Sequence, residues 1–192
     1  RIIIVLDEIM KKAIPIKSDV TLSLKDGYTQ VGSIKFIPDK ITIVGPKAEL
    51  DEVDYIFTIK DTLSNLSYPN KGRFNLVLPS RLINYSESSI EYDIDIQQIS
   101  ERIIVDIPIK IINKVKGIRV FPSPQTVSLT VIGGAIQISK IKPSEVSVIV
   151  DFNLWSIDQN FYEPEVTFSY DILDWRDLSP RQIELGVARE TK

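Results

Sequence analysis

The chain has no cysteine and no histidine among its 192 residues. The first absence excludes disulfides, thiolate nucleophiles and Cys-ligated metals, and it leaves the compartment open, since an oxidising space permits disulfides without requiring them. The second removes the commonest general base, the imidazole metal ligand and the usual pH switch. A triad hydrolase cannot be built here. A surplus of positive charge is also missing: 23 basic and 26 acidic residues give a net charge of −3. Split at residue 96, the halves hold 12 basic against 14 acidic and 11 against 12. Neither half has the electrostatic footprint of phosphate-backbone binding, so nucleic acid is not an expected partner. No apolar run approaches a membrane span, the longest being Ile2 to Leu6. No helical periodicity lasts beyond about two turns.

Period-two alternation is what the chain does have. Ile2 to Leu6 reads as an opening strand and Asp7 to Lys12 as a polar turn. From Ala13 to Leu24, Ile14, Ile16, Val20, Leu22 and Leu24 alternate as a half-buried strand, with Pro15 expected at a sheet edge or bulge. Lys25-Asp26-Gly27 signals a tight turn, Tyr28 to Phe36 a returning strand, and Gly32 a bulge. Pro38 begins a turn, Ile41 and Ile43 share a strand face, Gly45-Pro46 stops it, and Pro46 to Val53 suits a short helix. Tyr55 to Asp61 is a strand and Ser64 to Gly72 a loop, with further alternation at Phe74, Leu76 and Leu78 and at Ile90, Tyr92, Ile94 and Ile96.

The second half starts over. Ile107-Pro108-Ile109-Lys110 repeats Ile14-Pro15-Ile16-Lys17. Pro124, Val127 and Leu129 answer Pro38, Ile41 and Ile43, and the strand Val146 to Phe152 takes the place of Tyr55 to Leu63, with Asp151 answering Asp61. Unequal offsets between such matches are what loop insertions between equivalent strands produce. The expectation is an all-β protein of two tandem small, twisted, barrel-like domains with short helical turns, residues 1–98 and 99–192, joined through Gln97 to Arg102.

The repeat resembles the YbbR domain. Its residues are Ile14-Pro15-Ile16, Gly27, Pro38 to Gly45 and Lys60-Asp61 in the first copy. In the second they are Ile107-Pro108-Ile109, Pro124 to Gly133, Ile141 to Val146, and Val150-Asp151-Phe152. The first copy departs by carrying Leu50-Asp51-Glu52-Val53 in place of a Pro-containing linker. The resemblance implies domains strung outside a bacterial cell membrane behind an N-terminal anchor, which would lie upstream of Arg1. It also implies a protein partner, in some relatives a membrane diadenylate cyclase whose cyclic di-AMP synthesis is regulated.

Candidate sites are few, and no residue is expected to be catalytic, cofactor-binding or metal-ligating. Asp61 and Asp151 are paired by the repeat, yet a lone strand-end carboxylate ordinarily accepts backbone N–H groups. Asp158, Glu163, Glu165, Asp171, Asp174 and Asp177 lack the spacing of a calcium loop and read as a solvated face. Gly133-Gly134 reads as a hairpin turn, and without His no serine reads as an activated nucleophile. Asn65-Leu66-Ser67 and Asn84-Tyr85-Ser86 match glycosylation acceptors. Trp155, Trp175, Phe152, Phe161, Tyr162, Phe168 and Tyr170 read mainly as packing, with Trp175 a candidate contact residue. Three readings stay open: an interaction module, a structural or envelope-binding spacer, and an Asp/Glu-based enzyme. A circular dichroism spectrum of the chain should be dominated by strand; one dominated by helix overturns the fold reading.

Overall fold

Alternating β-branched residues bury one face of a strand and solvate the other, and here they do so from residue to residue. The computed structural model describes residues 7–189; the opening strand expected at Ile2 to Leu6 lies outside them. The protein is all-β, apart from two helices of five residues and two 3-10 turns among the described residues. It divides into two compact units, Arg1–Gln97 and Gln98–Lys192.

The first unit runs β1 (Ile9–Lys17), β2 (Val20–Leu24), β3 (Tyr28–Gln30), β4 (Lys35–Ile37), β5 (Lys40–Pro46), α1 (Lys47–Asp51), β6 (Ile56–Phe57), β7 (Asp61–Leu66), β8 (Asn70–Asn75), β9 (Asn84–Tyr85) and β10 (Ser89–Ile94). Its sheets are ordered β6–β1–β5–β9 and β4–β10–β8, with β2 paired to β7. Next come β11 (Ile96–Ile112), β12 (Ile118–Ser123), β13 (Thr126–Gly134), α2 (Ala135–Ser139), β14 (Val146–Asp151), β15 (Glu165–Phe168), β16 (Asp174–Ser179) and β17 (Glu184–Arg189). The second unit's sheet follows the order β15–β14–β11–β13–β16, with β12 paired to β17.

The Ile-Pro-Ile motif does the same thing twice. β1 is antiparallel to β5 as far as Pro15↔Lys40, and becomes parallel to β6 from Ile16↔Ile56. β11 is antiparallel to β13 as far as Pro108↔Thr126, and parallel to β14 from Ile109↔Val148. Each proline stands where one ladder ends and the other begins, a point at which its missing N–H is not demanded. β1 and β11 are therefore both interior to the strand order, and Pro15, expected at a sheet edge or bulge, stands at a change of partner. Ile14, Ile16, Ile107 and Ile109, the neighbours of the two prolines, are all buried.

A second device recurs across the two units. Lys12 Nζ donates to the carbonyls of Leu50 and Val53, at 3.0 and 2.8 Å. Arg102 donates to those of Ile138, Ser139 and Ile141, at 2.7, 2.8 and 3.0 Å. A cation on the long strand thus adds a charged donor to carbonyls at the end of each short helix. The glycines ahead of those helices are both crowded, though by different neighbours. A Cβ on Gly45 would stand 3.0 Å from the Leu82 carbonyl oxygen, and one on Gly133 would stand 2.8 Å from Ile138 Cγ2.

Several expectations are corrected. Strand pairing starts at Ile9, inside the expected polar turn, because β5 is long enough to pair with it. The Ala13 to Leu24 strand breaks at Ser18-Asp19, and Tyr28 to Phe36 is two strands separated by a bend at Gly32. Most of the loop expected at Ser64 to Gly72 is strand, since Asn65 takes φ 57° and forms a bulge where β2 and β7 shift register. Asp106 and Asp177 do the same in the second unit, at φ 57° and 58°. Asn and Asp tolerate this left-handed backbone, which lets a bulge bend a strand without a glycine. Gln97 to Arg102 is strand throughout. Gly133-Gly134 ends β13 and leads into α2, so it is no hairpin turn.

Arg102→Met should lower the stability of the second unit by about 2 kcal/mol, because three carbonyls lose a charged donor. Glu101→Gln, which removes only an exposed ion pair, should change it by less than about 1 kcal/mol. Urea unfolding followed by tryptophan emission reads this unit alone, since both tryptophans lie in it.

Candidate interaction surface

The carboxylates paired by the repeat serve the backbone. Asp61, exposed at the start of β7, accepts from the Thr62 N–H at 2.7 Å. Asp151, ending β14, accepts from the Asn153 N–H and from Asn113 Nδ2, both at 2.9 Å. Within the acidic set, Glu163 lies 3.6 Å from Arg181, Asp177 lies 3.4 Å from Arg176, and Asp174 accepts from the Trp175 N–H at 2.8 Å. No group of three potential ligands converges among the described residues. Asn65 sits in a bulge and Asn84 in β9. One Ser-x-x-Lys spacing, Ser139 to Lys142, escaped the sequence reading; Ser139 donates to the Ile136 carbonyl at 2.8 Å and makes no hydrogen bond to Lys142.

The aromatic residues divide between core and surface. Tyr162 is buried, while Phe168 and Trp175 are half-buried against the second core. Phe161 and Tyr170 are exposed, and Trp155 stacks on buried Phe152 with ring centroids 5.6 Å apart. The Tyr170 hydroxyl donates to Glu145 Oε1 at 2.7 Å, and Glu145 Oε2 accepts the Lys142 N–H at 2.8 Å. The Lys142 N–H first, and the Tyr170 hydroxyl second, hold the Glu145 carboxyl below its ordinary pKa; its hydrogen bond to Glu145 raises that of Tyr170.

Function finds its clearest physical candidate on the outward face of the first unit's sheet. Ile56, Thr58 and Leu76 face the core, so Phe57, Ile59 and Val77 face solvent, 43 %, 49 % and 44 % exposed. The Val77 N–H donates to the Phe57 carbonyl and the Ile59 N–H to that of Asn75, which keeps the three side chains on one surface. Tyr55 packs edge-on against Phe57 at 5.2 Å, and Lys17 Nζ stands 3.7 Å over the Tyr55 ring. Along β1 and β5 the outward positions include Lys11, Lys17 and Lys40 and no carboxylate. An apolar, aromatic strip flanked by unopposed cations suits a partner with acidic and apolar groups. A sequence signal existed: Tyr55 to Ile59 is apolar on both strand faces, more than one core can take.

Residues 14–94 match the sequence model of the family described as "YbbR-like protein". The first unit carries a YbbR-like domain. The chain is also 24% identical over 143 residues to the CdaA regulatory protein CdaR of Bacillus subtilis (strain 168), a match covering 73% of this chain and 29% of that protein. The chain thus spans less than a third of that relative's length. Two solved structures are similar. SuR18C from Streptococcus thermophilus, a solution structure, is 19% identical with a TM-score of 0.39, over 47% of this chain and 86% of that one. A crystal structure of a YbbR-like protein from Streptococcus pneumoniae TIGR4 is 12% identical with a TM-score of 0.35, over 96% and 98%. The interior proline, the core strands from Ile14 to Ile94 and the outward aromatic strip all belong to the YbbR-like domain.

Because the Glu145 pKa is lowered on folding, its small contribution to stability is present above the unfolded pKa and is lost as pH falls through the folded one. Tyr170→Phe should move the Glu145 titration, followed by NMR of its side-chain carboxyl, up towards the ordinary glutamate value. An unchanged midpoint would show that the hydroxyl does not hold the carboxylate.

Proposed function

We propose that the chain is a non-catalytic interaction module of a membrane-anchored regulator, with both units outside the cytoplasm and a protein as its partner. The observation that carries this is the match over 143 residues to a protein named for regulating CdaA. Together with the family resemblance, it supports a membrane diadenylate cyclase as the partner and cyclic di-AMP synthesis as the regulated output. The lack of His and Cys removes the commonest catalytic groups from the chain.

We further propose that the second unit is a second YbbR-like repeat. The Pro108 partner switch and the Arg102 contacts to helix-end carbonyls support that assignment, each having its counterpart in the first unit. An array of this kind acts by contacting one state of its partner better than another. The strip at Tyr55, Phe57, Ile59 and Val77 is the proposed contact in the first unit, and it favours a binding role over a spacer.

The full-length protein, reconstituted in proteoliposomes with a membrane diadenylate cyclase from the same cell, should change cyclic di-AMP output at least about fivefold. Phe57→Ser with Lys17→Glu should abolish most of that change, and residues 1–192 added alone should have no effect. An output indifferent to the full-length protein would overturn the regulatory reading; equal regulation by residues 1–192 alone would overturn the anchored mechanism.

A further inference from the structure

The chain's only two tryptophans, Trp155 and Trp175, line neighbouring clefts in the second unit. The larger, about 460 Å³, is formed by Trp175, Pro164, Leu178, Glu163, Asp177 and Arg181. The smaller, about 280 Å³, includes Trp155, Phe161, Asn160 and Glu184. Between them runs the antiparallel bridge Tyr162↔Ile183, whose flanking residues contribute Glu163 to one cleft and Phe161 and Glu184 to the other.

Each indole is held on one side. Phe152 covers one face of the Trp155 ring, at an interplanar angle of 16°, and the residue is still 37 % exposed. Trp175 packs partly on the second core. Neither indole N–H donates to a described residue. No buried side-chain nitrogen or oxygen lacks a partner among those residues, so the half-buried Trp175 leaves its N–H to solvent. The bulge at Asp177 adds an acceptor to the same cleft, and the Tyr162 hydroxyl, donating to the Gln159 carbonyl at 2.9 Å, fixes the loop bearing Trp155 and Asn160.

Open clefts that each join an indole to carboxylate acceptors, the smaller with the Asn160 amide beside it, fit pyranose rings: C–H groups meet the indole, and adjacent hydroxyls donate to and accept from the polar rim. Arg181 and Arg176 are matched by Glu163 and Asp177, and Glu184 adds a further carboxylate, so the clefts hold no surplus cation for an anionic ligand. We propose that the second unit binds an uncharged or amine-bearing oligosaccharide, with one sugar on each indole and the chain running over the Tyr162–Ile183 bridge. The assignment does not rest on the cyclase reading.

Indole emission from the whole chain reports on these clefts alone. Titration with cellotetraose, tetra-N-acetylchitotetraose and the glucosamine tetramer should give a saturable change with at least one of them. That tetramer should bind at least about tenfold more tightly than its monosaccharide, because two subsites act together. By calorimetry, Trp155→Phe, which keeps an aromatic ring on Phe152, and the exposed Glu184→Gln should each weaken binding about tenfold, while Phe57→Ser in the first unit should not. Three results would overturn the proposal: no saturable change with any tetramer at about 10 mM, affinity unaltered in both second-unit variants, or tighter binding of tetragalacturonate than of the uncharged and amine-bearing tetramers.

Discussion

A strand that changes partners part-way along its length must do so without leaving a backbone donor stranded, and the rest of each unit depends on how this is managed. β1 and β11 each belong to an antiparallel ladder and then to a parallel one, and proline occupies the last position of the first ladder in both. A residue with no N–H suits a position where neither neighbour asks for one. The flanking isoleucines point inward on either side of the switch, so one strand supplies the centre of the core while reaching two partners. The short helix then has to fit between those two partners in sequence, and in both units a basic side chain of the long strand reaches the carbonyls at its end.

Much of this was legible, and the failures have specific causes. The alternation at Ile14, Ile16, Ile41 and Ile43 is a direct record of a half-buried sheet, and all four are core residues. The proline was legible as a strand feature but not as an interior one, because the usual rule considers a single ladder and this strand has two in succession. Asn65 reads as a turn former, and its neighbours were assigned to a loop with it; in fact its left-handed backbone keeps two strands paired through an irregularity. Arg102 carried no signal at all. It looks like an ordinary charge in a polar stretch, and its role appears only when α2 is brought back beside β11 by pairing across more than thirty residues.

The candidate surface was less legible than the fold for a similar reason. Tyr55 to Ile59 announces an apolar segment, but which of its residues meet solvent depends on Leu76 and Val77 arriving alongside. Likewise the tryptophans are far apart in sequence and are set in adjacent clefts by the Tyr162↔Ile183 bridge. Composition was more informative about exclusion: a chain without His and Cys has a short list of chemistries open to it, and its geometry among the described residues adds no cluster of metal ligands.

The partner-switching strand also constrains the order in which the chain can assemble. Ile9 pairs with Pro46 and Ile16 with Ile56, while Ile99 pairs with Gly134 and Ile109 with Val148. Every contact of the first strand therefore waits on a distant segment, and no tight hairpin next to it can nucleate the core. Closing such loops before any reward is collected places each unit among the slow folders, on the scale of milliseconds to seconds. The same topology has a converse. Once both ladders are formed, the strand cannot peel away from one partner without disturbing the isoleucines it presents beside the other, so opening should be all-or-none within a unit, and slow to begin.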